Sequence, residues 1–408
     1  MSARLLLAAA SAVTVAAAYA TSAPTAGAVP IGPGCPVLYV LGVQGTGQSS
    51  PAADPLADTG LVGALIGPVI HAVPHLVQRS YIAYSAGFGG AVPGGGTEPY
   101  AVSVAEARAG LDVAATEIVT RCPATFIAVV GYSQGAQAAS SFARDVGAGS
   151  GPVNPDRVAG IALYSNPDRV TGGPVIPGRP GQAVPDPAPG TSGAAVSTVQ
   201  LPLPSAFGGG IAGGEAVYGA LTGRVADICT AGDLACSAPD RAALLRVAAE
   251  IAAQADLRDP VAAITSMGAL LTTSLGEAWT TVVLNDFVVS AGNVDYAPQA
   301  GLAARLIAAA DPRTPTPTPD QVAAATGRWN EITAAAAANP LALLPKLIGQ
   351  LSAAWAQLVT DNADLVNPAI WLRYADTVAR HNGYASSGQL ASGTAWMVAL
   401  AHDIAGRR

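Results

Sequence analysis

The sequence predicts an α/β fold: a three-layer α/β/α sandwich on a mainly parallel sheet, with a helical segment inserted before its last elements. Residues 37–43 (VLYVLGV), 125–130 (TFIAVV) and 158–164 (VAGIALY) are near-continuous apolar runs, the pattern of strands covered on both faces. Between the first two, residues 100–121 place Val104, Ala107, Leu111, Ala114, Ala115 and Ile118 on one helical stripe. Strands alternating with helices imply a parallel sheet joined by right-handed crossovers.

Residues 1–28 read as a secretory signal peptide, with Arg4 at the start, an apolar stretch over 5–20 and small residues at the exit. Two A-x-A sites, ending at Ala20 and Ala28, compete for cleavage. The second is favoured because Val29-Pro30 resembles a mature start, and the apolar stretch is short for a membrane span. A core domain is expected over 29–238, a helical insertion over 239–370, and completion of the core over 371–408. Within the core, residues 172–210 are dense in Pro and Gly (PGRPGQAVPDPAPG at the centre) and read as a long surface loop.

After Cys236 the pattern changes to Ala- and Leu-rich helices over 239–257, 260–284, 319–338 and 341–360, interrupted by a Thr-Pro run over 313–320. All five tryptophans lie from Trp279 onward, so this half differs in kind from the first. Residues 260–276 are uncharged but contain five Ser or Thr, and no membrane span is expected there.

The formal charge is −7, or −8 once Arg4 is removed, and no basic cluster appears, so nucleic acid is not an expected partner. Only 12% of residues are charged while 50% are hydrophobic. A surface of Ser, Thr, Gly and Ala with some exposed apolar area follows, suited to a lipid-rich setting.

Export makes disulfides the expected state of Cys35, Cys122, Cys229 and Cys236. Of three possible pairings, the near pair Cys229 and Cys236 closes its own loop, which leaves Cys35 with Cys122. No His stands near these four at zinc-finger spacing, so no metal set is expected.

Gly131-Tyr132-Ser133-Gln134-Gly135 follows the strand TFIAVV directly and precedes a helical stretch over 137–146. A G-x-S-x-G serine in that context is lifted above the sheet on a sharp turn, with the glycines relieving crowding. A serine hydroxyl needs a base to take its proton and a carboxylate to orient that base. The order Ser, acid, His sets aside His71 and His75. His381, in a Gly/Ser-rich stretch read as a loop between helices, is preferred over His402 in the final helix. Asp233, inside the small cysteine loop, is the expected acid, with Asp227 its nearest rival.

These residues resemble the cutinase family of small secreted serine esterases. The resemblance rests on G-Y-S-Q-G-A at 131–136, C-x-x-G-D-x-x-C at 229–236, His381-Asn-Gly-Tyr384 and the early turn Gly45-Thr46-Gly47-Gln48. It implies an α/β-hydrolase fold with Ser133 as nucleophile, Asp233 as orienting acid and His381 as base. It also implies an oxyanion hole from the backbone N–H groups of Thr46 and Gln134, bridges Cys35–Cys122 and Cys229–Cys236, and no cofactor. The expected function is a secreted esterase that hydrolyses lipid or polyester-type esters through an acyl-enzyme, as a monomer touching lipid or cell envelope at most peripherally.

The resemblance covers about 30–238 and 371–408. Simple cutinases place the His soon after the Asp, whereas 147 residues lie between Asp233 and His381 here. The insertion is expected to be a lid or cap. Phage mycolyl-ester hydrolases, similar to cutinases with added helices, make a mycolyl ester an alternative substrate, beside phospholipase or thioesterase activity. A binding protein of the envelope that has lost catalysis is the alternative of another class.

Overall fold

The structure, a computed structural model, describes residues 28–203, 206–215, 217–290 and 292–407. The expected signal peptide therefore lies outside the described residues, apart from Ala28. The chain runs β1 (Leu38–Val43), α1 (Gly60–Ala72), β2 (Val77–Tyr81), α2 (Tyr100–Arg121), β3 (Phe126–Tyr132), α3 (Gln134–Ala148), β4 (Val158–Tyr164) and β5 (Val225–Ile228). These five strands form one parallel sheet in the order β2-β1-β3-β4-β5.

Successive side chains point to opposite faces of a strand, and here both faces are covered. Leu38, Val40, Phe126, Ala128 and Val130 pack in one core with Leu65 and Ile66 of α1. Tyr39, Leu41, Ile127 and Val129 pack in another with Leu111 of α2 and Phe142 of α3. Fully burying a side chain of this kind contributes roughly 1.5–3 kcal/mol, which explains why the strands read as unbroken apolar runs.

Beyond β5 come α4 (Ala243–Gln254), α5 (Pro260–Asn285), the antiparallel hairpin β6 (Phe287–Ser290) and β7 (Asn293–Tyr296), α6 (Leu302–Ala310), α7 (Pro319–Ala338) and α8 (Pro340–Thr360). Local chemistry starts two of these helices. The Asp259 side chain accepts from the Val261 and Ala262 N–H groups with Pro260 first in the helix, and Thr318 and Gln321 form a capping box. Val283, Phe287, Val294, Ile332, Leu343 and Leu347 give this segment its own core. Three helices complete the chain: α9 (Pro368–Trp371), α10 (Thr377–Asn382) and α11 (Gln389–Ala405). Through Trp396, Met397 and Leu400, α11 returns to the sheet beside α1.

Two expectations change. His381 lies within the short helix α10 and not in a loop, and the Arg380–Asp376 ion pair at 2.7 Å spans one turn of that helix. Residues 172–210 are irregular, as expected, but they are not a mere surface loop. Val175, Ile176, Val196, Val199 and Leu201 are buried in the sheet core. Pro and Gly deny this stretch a regular ladder, so its backbone is satisfied piecemeal. Asp403 of α11 accepts from the Ala195 and Val196 N–H groups at 2.9 and 3.0 Å, and Val175 O accepts from Asp227 N–H at 2.8 Å on the sheet edge.

Both expected disulfides are present, Cys35–Cys122 across 87 positions and Cys229–Cys236 across 7. Replacing Cys35 and Cys122 together by Ser should lower the unfolding free energy by about 4–5 kcal/mol, because the long loop gains freedom in the unfolded chain. Denaturant titration of oxidised protein checks this.

Candidate active site

The C-terminal ends of adjacent parallel strands are where an open α/β sheet gathers its chemistry, and β3, β4 and β5 lead into Ser133, Ser165 and the loop of Asp233. Ser133 has φ 53° and ψ −119°, a conformation that L residues avoid. It is held there by its N–H donating to Tyr164 O at 2.9 Å and by Gln137 N–H donating to Ser133 O at 3.1 Å. The turn leaves no room for side chains on either glycine. A Cβ on Gly135 would collide with the Val43 and Gln44 carbonyl oxygens, and one on Gly131 with Gly135 O.

Asp233 is fully buried inside the Cys229–Cys236 loop. Its Oδ1 accepts from His381 Nδ1 at 2.9 Å and from the Ala235 N–H at 3.1 Å, and its Oδ2 accepts from the Tyr384 hydroxyl at 2.7 Å. Burial pushes this carboxyl up. The hydrogen bonds from His381, the imidazole charge, and the bonds from Ser165 and Tyr384 outweigh it and hold the group below the ordinary carboxylate value. Tyr384 stays protonated, driven well above the usual phenol value by burial and then by the Asp233 charge.

The rival Asp227 does not meet His381. It is buried on β5, accepts from Asn166 Nδ2 at 3.0 Å, and is pushed up to about 6 by burial against the opposing pull of Arg169. His71, His75 and His402 are exposed.

His381 is further fixed by its carbonyl, which accepts from the Tyr132 hydroxyl at 2.8 Å, and by the Tyr132 ring at 5.2 Å between centroids. With Nδ1 engaged, Nε2 is the imidazole nitrogen left for chemistry. Ser133 and His381 line the same cavity, of about 570 Å³, and the Ser133 hydroxyl has no hydrogen-bond partner among the described residues. A Cβ on Gly45 would touch Ser133 Cβ at 3.2 Å, so the turn carrying Thr46 lies directly beside the serine. Among the described residues, neither the Thr46 nor the Gln134 backbone N–H donates to a protein acceptor. The Gln134 side chain is spent on anchoring, with Nε2 donating to Gly87 O at 2.9 Å.

Two features have no local sequence signal. Ser165 follows β4 with φ 55°, and its Oγ lies 2.9 Å from His381 Nδ1. A polar row also begins one helical turn from Ser133. The Tyr100 hydroxyl donates to Gln137 Oε1 at 2.8 Å, and Gln137 Nε2 donates to Asp168 Oδ1 at 2.9 Å. Asp168 also receives Arg144 at 3.0 Å and Arg313, from beyond α6, at 2.8 Å.

Because the Asp233 pKa is depressed on folding, its contribution to stability is present above the ordinary carboxylate value and is lost as pH falls through the lower native value. Tyr384→Phe removes a hydrogen bond to this charge, and Ser165→Ala removes the hydroxyl beside the imidazole that donates to it. Each should destabilise the protein by about 1–3 kcal/mol at neutral pH and move acid unfolding to higher pH. Circular dichroism followed through an acid titration reads both effects.

Residues 56–246 match the cutinase family model. The chain is 30% identical over 223 residues to a carboxylesterase Culp6 homolog of Corynebacterium glutamicum, across 50% of this chain and 66% of that protein. It thus spans just under two thirds of that relative's length. Among solved structures it is similar to the catalytic core domain of acetyl xylan esterase from Trichoderma reesei, with 16% identity, TM-score 0.34, and coverage of 58% of this chain and 99% of that one. It is also similar to lysin B of a mycobacteriophage, with 17% identity, TM-score 0.34, and coverage of 72% and 90%. Residues 56–246, just under half of the chain, thus carry the likeness to the cutinase family, and the relative that shares 30% identity is a carboxylesterase homolog.

Proposed function

We propose that this chain is a secreted serine esterase that cleaves lipid or polyester-type esters through an acyl-enzyme. The observation that carries the reading is the His381 Nδ1 to Asp233 Oδ1 hydrogen bond of 2.9 Å, on an imidazole that shares its cavity with the strained Ser133. Ser133 Oγ attacks the ester carbonyl while His381 Nε2 takes its proton. The N–H groups of Thr46 and Gln134, with the Thr46 hydroxyl assisting, hold the oxyanion. The alcohol leaves with the proton from His381, and water, deprotonated by the same nitrogen, then releases the acid and restores Ser133. No metal or cofactor takes part.

Part of the cavity wall supports a lipid-type substrate. Phe88, Val104 and Ile211 are apolar, and Ala249 and Ala253 of α4 with Pro312 close the cavity from the helical segment. We read residues 239–370 as a cap that covers the acyl group, a role the single sheet domain would not supply. A lipid surface suits helix α8, whose Leu341, Leu344, Ile348, Leu351, Trp355 and Val359 form one exposed apolar stripe.

Hydrolysis of p-nitrophenyl esters from short to long acyl chains, by mature protein and Ser133→Ala together, tests the reading. Wild type should turn over, Ser133→Ala should lose at least about a thousandfold in kcat, and Thr46→Val should lose about tenfold or more. Turnover that survives Ser133→Ala removes the assignment.

A further inference from the structure

Glu250 projects from α4 into the cavity that holds Ser133 and His381, yet nothing in the mechanism uses it. The residue is only 4% exposed. Neither carboxyl oxygen accepts a hydrogen bond among the described residues, and Oε1 is fully buried. Its nearest cation, Arg313 Nη2, stands off at 3.5 Å because that guanidinium is already divided between Asp168, Asp311 and the Ala212 and Gly213 carbonyls. A buried polar group without a partner costs stability and is rare unless a ligand or solvent completes it. Glu250 lines the cavity together with the apolar Phe88 and Val104, so a molecule bound there can supply a partner to the carboxyl group.

We infer that Glu250 is a specificity-determining residue of this cavity, and that its carboxyl group hydrogen-bonds a hydroxyl group carried by the ester substrate. The inference rests on the esterase reading. A hydroxyl is the group that fits whichever protonation state Glu250 adopts, since it can donate to a carboxylate and accept from a carboxylic acid. An unsubstituted alkyl chain would leave the carboxyl unpaired. Burial, then the Asp311 charge, push this group up to about 8 against the pull of Arg313, so the acid form that donates is accessible at neutral pH. The hydroxyl could sit on the acyl chain or on the alcohol part, and the two are separable by experiment.

The test measures kcat/KM of the full mature protein on two matched pairs: p-nitrophenyl octanoate against its chain-hydroxylated analogues, and propyl octanoate against glyceryl monooctanoate. Wild type should prefer the hydroxyl-bearing member of one pair by about tenfold or more, and the pair that shows it locates the hydroxyl. Glu250→Leu should bring that ratio close to one, while Glu250→Gln, which keeps a donor and an acceptor, should retain most of it. Absence of preference in both pairs for wild type overturns the inference without any variant. A preference that survives Glu250→Leu, or Glu250→Met if the leucine variant does not fold, overturns it too. The esterase reading is judged separately, by whether Ser133→Ala abolishes turnover of the unsubstituted esters.

Discussion

Ser133 is held at φ 53° between the end of β3 and the start of α3, and that turn sets what the surrounding structure has to provide. A left-handed serine costs on the order of 1–3 kcal/mol, so neighbours must over-determine it. They do so with two backbone hydrogen bonds and with two glycines pressed against the β1 end and against each other. The same turn leaves the Gln134 N–H pointing outward at a helix N-terminus, beside the turn that carries Thr46. The strain at Ser133 and the Gln134 N–H, free among the described residues, therefore arise from one piece of backbone.

Asp233 and His381 are held with comparable redundancy. Asp233 sits in a seven-position disulfide loop and receives His381, Ala235 and Tyr384. Tyr384 in turn accepts from Thr230 N–H at 3.1 Å, so the loop and the His381 segment fix each other. The link matters because these two parts of the chain are separated by all of α4 to α9. The helical segment can therefore carry its own hydrophobic core and still leave the His381–Asp233 geometry set by the sheet domain.

How far this was legible in the sequence depended on the range of the interaction. Helices 100–121 and 319–338 and strand 158–164 coincide with α2, α7 and β4, because buried periodicity and capping residues are local signals. β2 was not foreseen, since VQRSY at a sheet edge carries Gln78 and Arg79 and lacks an apolar run. Pro68 disguised α1, and the β6–β7 hairpin is too short to show a pattern. Within the site, Ser133, Asp233 and His381 stood in motifs. Ser165 and the Tyr100–Gln137–Asp168–Arg313 row did not, because only the sheet order and the return of residue 313 bring them together. The buried apolar residues of 172–210 were masked by their prolines and glycines.

The most direct test of the central claim, that Ser133 is a nucleophile driven by His381, is labelling of mature protein with an alkyl fluorophosphonate followed by peptide mass spectrometry. A single adduct on Ser133 is predicted, formed at least about a hundredfold more slowly in His381→Ala. An adduct on another residue, or a labelling rate unchanged by His381→Ala, would contradict the account.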